Sequence, residues 1–334
     1  MLQGGRLGYA WMVRGRALLD LQDYKATQDA LDKALHLSRE SGRVDVEAMA
    51  LLLQGHVGLS LGQYDEAERY YQESLTMYRS LGDRWGIAKN LGNLAILAGR
   101  AARHTETMQY LEESQRLYCQ LGDRAGIARS LHNRGNVAYL LGDFEHALAL
   151  RQECLSICRE IGFRWGVVST LKHLGDVEKV LGQVQLAEQH YQEALVLADE
   201  LRSNELRLSV LNSLAGLLLM QAKVNAARRT YAEALQIALQ AGMLLVGIDV
   251  LVGLAETFVG QKEEEQALAW LTFAMNFEGG DQQTRDKAAA VLSGCAGRLS
   301  AERIALLQQQ TFEALANQAL QQVVDNDQKL EMLD

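Results

Sequence analysis

The chain has 334 residues, of which 48% are hydrophobic and only 6% aromatic, with no proline and a formal net charge of −9. Apolar content this high and this evenly spread excludes a disordered chain, and a surplus of Ala, Leu, Gln and Glu without Pro points to an all-α protein. The acidic balance argues against direct binding of nucleic acid, which needs clustered Lys and Arg to neutralise phosphates.

The first twenty residues carry Arg6, Arg14, Arg16 and Asp20. No stretch reaches the roughly 18 uncharged apolar residues that span a bilayer, so neither a membrane anchor nor a signal peptide is expected. Cys119, Cys154, Cys158 and Cys295 show no CxxC spacing, which suits a reducing cytoplasm and no zinc site.

Along the chain one unit recurs. The segment LGDRWGIAKNLGNLA (81–95) returns as LGDRAGIARSLHNRG (121–135) and again as IGFRWGVVSTLKHLG (161–175), each copy displaced by 40 residues. A period between 20 and 50 residues signals a repeat architecture. Small residues recur at Gly15, Gly55, Ala95, Gly135, Gly175, Ala215 and Ala255, where the two helices of a hairpin approach closely. A second small series, Ala34, Ser74, Ser114, Cys154, Ala194, Ala234 and Ala274, marks the second helix.

Between the two series lies a turn, LGQYDEA (61–67), LGDFEHA (141–147) and LGQVQLA (181–187), whose glycine can take the left-handed conformation that ends a helix. Gly42, Gly82, Gly122, Gly162 and Gly242 close successive units, often before an Asp that can cap the next helix. Each unit therefore reads as two antiparallel helices, each about 25 Å long. One hairpin cannot bury its own apolar face, so neighbours must stack.

Seven repeats account for residues 1–275. In 276–334, Cys295 and the pair Ala314 and Leu315 stay on the register, predicting a degenerate eighth hairpin entered at Gly279 and Gly280, with a polar cap or tail after about residue 322. Met1 falls almost at the start of a first helix, as expected where a longer protein is divided at a repeat boundary.

Motifs for chemistry are missing. The glycines form neither GxGxxG nor GxxxxGK[ST], and the seven histidines include no HExxH. No catalytic residue, cofactor or metal is expected. Cys154 and Cys158, one turn apart, read as small packing residues, and Trp85 and Trp165 as contacts across repeats.

Trp11, Gly15, Tyr24 and Ala34 in the first unit, and Leu51, Gly55, Tyr64, Ala67 and Ser74 in the second, resemble the packing positions of the tetratricopeptide repeat (TPR) family. The chain departs from it in lacking the usual proline and in a period longer than the commoner 34. The 40-residue wording resembles both the C-terminal sensor arrays of bacterial STAND and maltose-activator-type regulators and the arrays of cell-polarity adaptors. The STAND ATPase module itself is absent from this chain.

The resemblance implies a right-handed superhelical solenoid whose first helices line a concave groove. It implies a cytoplasmic protein-binding or peptide-binding module, the interaction portion of a larger bacterial regulator. A sugar-like effector sensor and a structural scaffold are the alternatives.

Inward positions turn polar in repeats three to five: Lys89, Asn93, Arg129, His132, Asn133, Asn136, Lys172, His173 and Asp176. An asparagine amide can donate to and accept from one extended peptide backbone. Lys89, Arg129 and Lys172 against Asp176 suggest a ligand bearing carboxylates. Tyr139 is the one obvious aromatic there, whereas sugars favour aromatic platforms, so a peptide is the better expectation.

Overall fold

The computed structural model describes residues 2–20, 23–259, 264–277, 282–295 and 310–331. Among these the chain is all helical and divides into two compact units, Met1–Gly162 and Phe163–Asp334.

The first unit holds four hairpins: α1 (Leu2–Asp20) with α2 (Tyr24–Ser41), α3 (Val44–Ser60) with α4 (Tyr64–Leu81), α5 (Arg84–Arg100) with α6 (His104–Leu121), and α7 (Arg124–Leu140) with α8 (Phe144–Glu160). The second unit holds α9 (Arg164–Val180) with α10 (Val184–Glu200), α11 (Asn204–Met220) with α12 (Val224–Ala241), and α13 (Leu244–Glu256) with α14 (Glu264–Asn276). Then come α15 (Gln282–Ser293), packed on α14, and α16 (Phe312–Glu331), packed on α12 and α13. Gly279, Gly280 and most of the segment between α15 and α16 lie outside the described residues.

Each hairpin closes through a small residue of the first helix set against a large one of the second. A Cβ placed on Gly55 would lie 2.4 Å from the Tyr71 ring, and one on Gly175 would lie 2.6 Å from the Tyr191 ring. Both tyrosines are buried. Register places Leu31 opposite Gly15, Leu111 opposite Ala95, Tyr231 opposite Ala215 and Leu271 opposite Ala255, a large apolar side chain against a small residue each time. The fourth hairpin breaks the rule, because the partner of Gly135 is Arg151, whose Cγ would be 3.3 Å from the added Cβ.

The second small series also bonds. Ser74 Oγ donates to the Ala48 carbonyl at 2.7 Å, Ser114 Oγ to Ala88 at 2.8 Å, and Cys154 Sγ to Ala128 at 3.2 Å. Asn90 Nδ2 then donates to Ser74 Oγ at 3.1 Å, tying the second hairpin to the third. Cys154 and Cys158 are buried as packing residues. Trp165 departs from its expected packing: it is 46% exposed and stacks on Phe163, with centroids 6.3 Å apart.

The turn glycines are left-handed, Gly62 at φ 74°, Gly142 at 77° and Gly182 at 73°. After α2 and α4 the chain reverses at Gly42 and Gly82, and Arg43 and Asp83 N–H groups reach back to the Ser38 and Tyr78 carbonyls at 2.9 and 3.1 Å. Asp83 and Asp123 then cap α5 and α7 by accepting from the N–H groups of Gly86 and Gly126. Ala102 and Ala222 occupy the same left-handed turn position at φ 54° and 58°, where a Cβ is strained.

Ala102→Gly and Ala222→Gly should each raise unfolding free energy by about 0.5–1 kcal/mol in urea titrations. Within the hairpins, Gly175→Ala should cost about 1–3 kcal/mol because the Tyr191 ring cannot give way. Gly135→Ala should be near neutral, the flexible Arg151 chain yielding while helix propensity improves. Equal losses at both sites would refute the account in which the apposed ring sets the cost.

Candidate functional site

In the first unit, α1, α3, α5 and α7 present register-equivalent stripes that bring one basic group each to a common neighbourhood: Arg16, His56, Lys89 and Arg129. Lys89 is half-buried, with its Nζ 5.0 Å from the centroid of the Trp85 ring. Burial, aided by the charges of Arg129 and Arg16, pulls its pKa down to about 8. His56 is pulled down to about 3 by burial and then by Lys89, Arg129 and Arg16, so its imidazole is neutral at physiological pH. Among the described residues, no carboxylate is close enough to offset these repulsions at either group.

Asn93 Nδ2 lies 3.0 Å from His56 Nε2. An amide nitrogen only donates, so Nε2 accepts and the imidazole hydrogen sits on Nδ1. The Asn93 carbonyl oxygen makes no hydrogen bond among the described residues. Asn136 is similarly half committed: its Oδ1 accepts from Arg151 Nη2 at 3.0 Å, and Arg151 is 2% exposed. Asn133 is half-buried on the same stripe and carries no side-chain hydrogen bond among the described residues. His132 is half-buried beside it on α7.

The remaining expected residues belong to the second unit. Lys172 Nζ sits 2.8 Å and His173 Nδ1 3.5 Å from Asp176 Oδ2, and Tyr191 Oη donates to Asp176 Oδ1 at 2.8 Å. Burial opposes ionisation of Asp176, but the Lys172 ammonium and the His173 contact outweigh it, and the carboxyl titrates well below the usual range. Lys172 is therefore occupied internally.

On the neighbouring stripes, Asn212 Nδ2 donates to Asp249 Oδ2 at 2.6 Å and Lys287 pairs with Asp249 at 3.4 Å. Lys179, lowered by burial, adds a third cation. This face carries both signs, whereas the charged groups that act on Lys89 and His56 in the first unit are all basic.

Arg16 and His56 are the residues that sequence reasoning missed. Both lie on the register of Asn136 and Asp176, in steps of 40, so the periodicity that revealed the later residues also marks the earlier ones. Among the described residues no His, Cys, Asp and Glu group suits a metal ion, and no helix is long and apolar enough to cross a membrane.

The family model for the tetratricopeptide repeat matches residues 7–80, 86–160 and 167–240. Comparison with curated proteins gives no match. Among solved structures, a Rap protein complexed with Competence and Sporulation Factor is 18% identical with a TM-score of 0.65, over 85% of this chain and 76% of that one. NprR in complex with its cognate peptide NprX is 14% identical with a TM-score of 0.61, over 86% and 87%. A STAND protein with a tetratricopeptide repeat sensor from Pyrococcus horikoshii is 15% identical with a TM-score of 0.61, over 94% of this chain and 47% of that one. At such identities the likeness is one of fold.

The neutral His56 has a direct consequence. Its folded pKa of about 3 lies below the ordinary histidine value of 6.5, so its contribution to stability is fully present above pH 6.5 and is lost as pH falls toward 3. Urea unfolding should show a loss of about 2–4 kcal/mol from this group between those limits. In His56→Gln the acid sensitivity should shrink by that amount, and an unchanged pH profile would exclude His56 as its source.

Proposed function

The chain belongs to the tetratricopeptide repeat family, and from that premise we propose that it is a cytoplasmic peptide-binding or protein-binding module, the sensing portion of a larger regulator. The observation that carries this reading is the basic first-helix face of the first unit, with Lys89, Arg129 and Arg16 gathered there and no carboxylate offsetting their repulsion at Lys89. A protein gains nothing in stability from such a gathering.

An acidic ligand segment relieves the repulsion. Its carboxylate faces Lys89 and Arg129, while the Asn133 amide and the free halves of the Asn93 and Asn136 amides bond its backbone. Lys172, His173 and Asp176 act differently, as an internally paired cluster that shapes the face of the second unit. Two similar structures are complexes, one with Competence and Sporulation Factor and one with a cognate peptide, which supports a peptide over a sugar. Tyr139 supports it too, because its ring packs edge-on against Phe144 at 5.5 Å rather than offering an open platform.

A fluorescent acidic peptide should bind more tightly than its amidated counterpart. Lys89→Gln with Arg129→Gln should weaken the acidic peptide at least about tenfold, as loss of a charge-assisted bond requires, and Asn133→Ala should weaken both peptides. Near pH 9, above the free-state Lys89 pKa of about 8, binding of the acidic peptide should take up protons, because the carboxylate restores the ammonium. Calorimetry in two buffers of different ionisation enthalpy reads that uptake. Equal affinity for both peptides, or no proton uptake, would sink the assignment of a carboxylate to this face.

A further inference from the structure

Tyr191 and Tyr231 stand at equivalent positions, one repeat apart, and both are buried in their hairpin seams. In the fifth hairpin the first-helix residue one place past the seam is Asp176. Its Oδ1 accepts from Tyr191 Oη at 2.8 Å, and its Oδ2 lies 2.8 Å from Lys172 Nζ. In the sixth hairpin the same position is Gly216, so the tyrosine is kept and its carboxylate is gone. Tyr231 Oη makes no hydrogen bond among the described residues.

The space left at Gly216 is a notch with polar walls. A Cβ added there would lie 3.5 Å from Tyr231 Oη and 3.8 Å from Lys179 Nζ. Its own helix backbone and chain neighbours aside, no other heavy atom of the described residues comes within 4 Å. Lys179, half-buried on α9, makes no hydrogen bond or ion pair among the described residues.

Burial opposes the charge of Lys179, Asp176 and Asp249 favour it, and Lys172 and Lys287 oppose it. Both carboxylates are already committed, Asp176 to Lys172 and Tyr191, and Asp249 to Lys287 and Asn212. Three cations thus face two engaged acids. Glu256, exposed on α13, acts on Tyr231 without bonding to it.

We propose that the notch over Gly216 is a carboxylate-binding site, in which Lys179 Nζ and Tyr231 Oη hold an external carboxylate as Lys172 and Tyr191 hold that of Asp176. Two donors within 3.8 Å of one point are spanned by the two oxygens of a single carboxylate, the ammonium on one and the hydroxyl on the other. One negative charge matches the one uncommitted cation, whereas a dianion brings a second charge toward Asp176 and Asp249. The site lies wholly in the second unit and does not depend on the reading of the first unit's face.

The test follows the Lys179 13Cε signal by NMR in the whole chain labelled with 13C-lysine, the signal being identified by its loss in Lys179→Arg. Sodium acetate, exchanged for sodium chloride at constant ionic strength near neutral pH, should shift that signal saturably. Tyr231→Phe, which keeps the ring, should weaken acetate about tenfold or more. Gly216→Asp supplies the missing carboxylate from the chain itself, so its Lys179 signal should sit at the acetate-bound position with no acetate present. Gly216→Asn fills the same space without charge and should leave the signal at the free position. An acetylated and amidated tripeptide with a central aspartate that gives the same shift assigns a peptide side chain as the source, and a response to acetate alone assigns a small free acid. With thermal melting showing each variant folded, three results overturn the proposal: no saturable shift with either probe, a shift undiminished in Tyr231→Phe, or a Lys179 signal unmoved by Gly216→Asp.

Discussion

The approach of a ring or branched side chain of each second helix to the backbone of its first helix is the constraint on which the rest depends. Tyr71 over Gly55 and Tyr191 over Gly175 leave no room for a Cβ, so the rotation of the first helix about its axis is fixed to within one residue. Once that rotation is set, the residue one place later, His56 or Asp176, falls on the flank of the contact, and its i−3 and i−7 neighbours continue the same stripe. The polar face is a geometric consequence of the hairpin seam.

The exception to the seam is informative. In the fourth hairpin the large partner is Arg151, 2% exposed and bonded to Asn136 Oδ1. A buried guanidinium demands acceptors, and Asn136 supplies one. An asparagine that looks like a peptide clamp in the sequence thus has a packing duty as well, and its removal would strike stability before recognition. Asn133, one turn earlier on the stripe, carries no such duty.

Much of this was legible in the sequence, because a fixed 40-residue step exposes seam, turn and cap residues together. Gly62, Gly142 and Gly182 adopt the conformation their turns require, and Asp83 and Asp123 cap as their spacing predicts. The electrostatics were less legible. Lys172 reads as a free cation until Asp176, one turn on, is seen to neutralise it with Tyr191 and His173 in support. His56 carries no motif in the sequence, since what marks it is burial together with charges from three other helices. Those charges are distant in sequence, and only the stacking of hairpins brings them together.

The contrast between the two faces follows from the same stacking. Where successive stripes carry both signs, as Asp176, Lys179, Asp249 and Lys287 do, opposite charges offset one another. Where they carry one sign only, stacking buries like charges together, and burial first and repulsion second lower Lys89 and His56. Such an arrangement persists when the hairpin seams tolerate its cost and a negative group relieves it. On the proposed function, an anion at this face binds by lifting that repulsion, so its affinity and the protonation of Lys89 are a single coupled equilibrium.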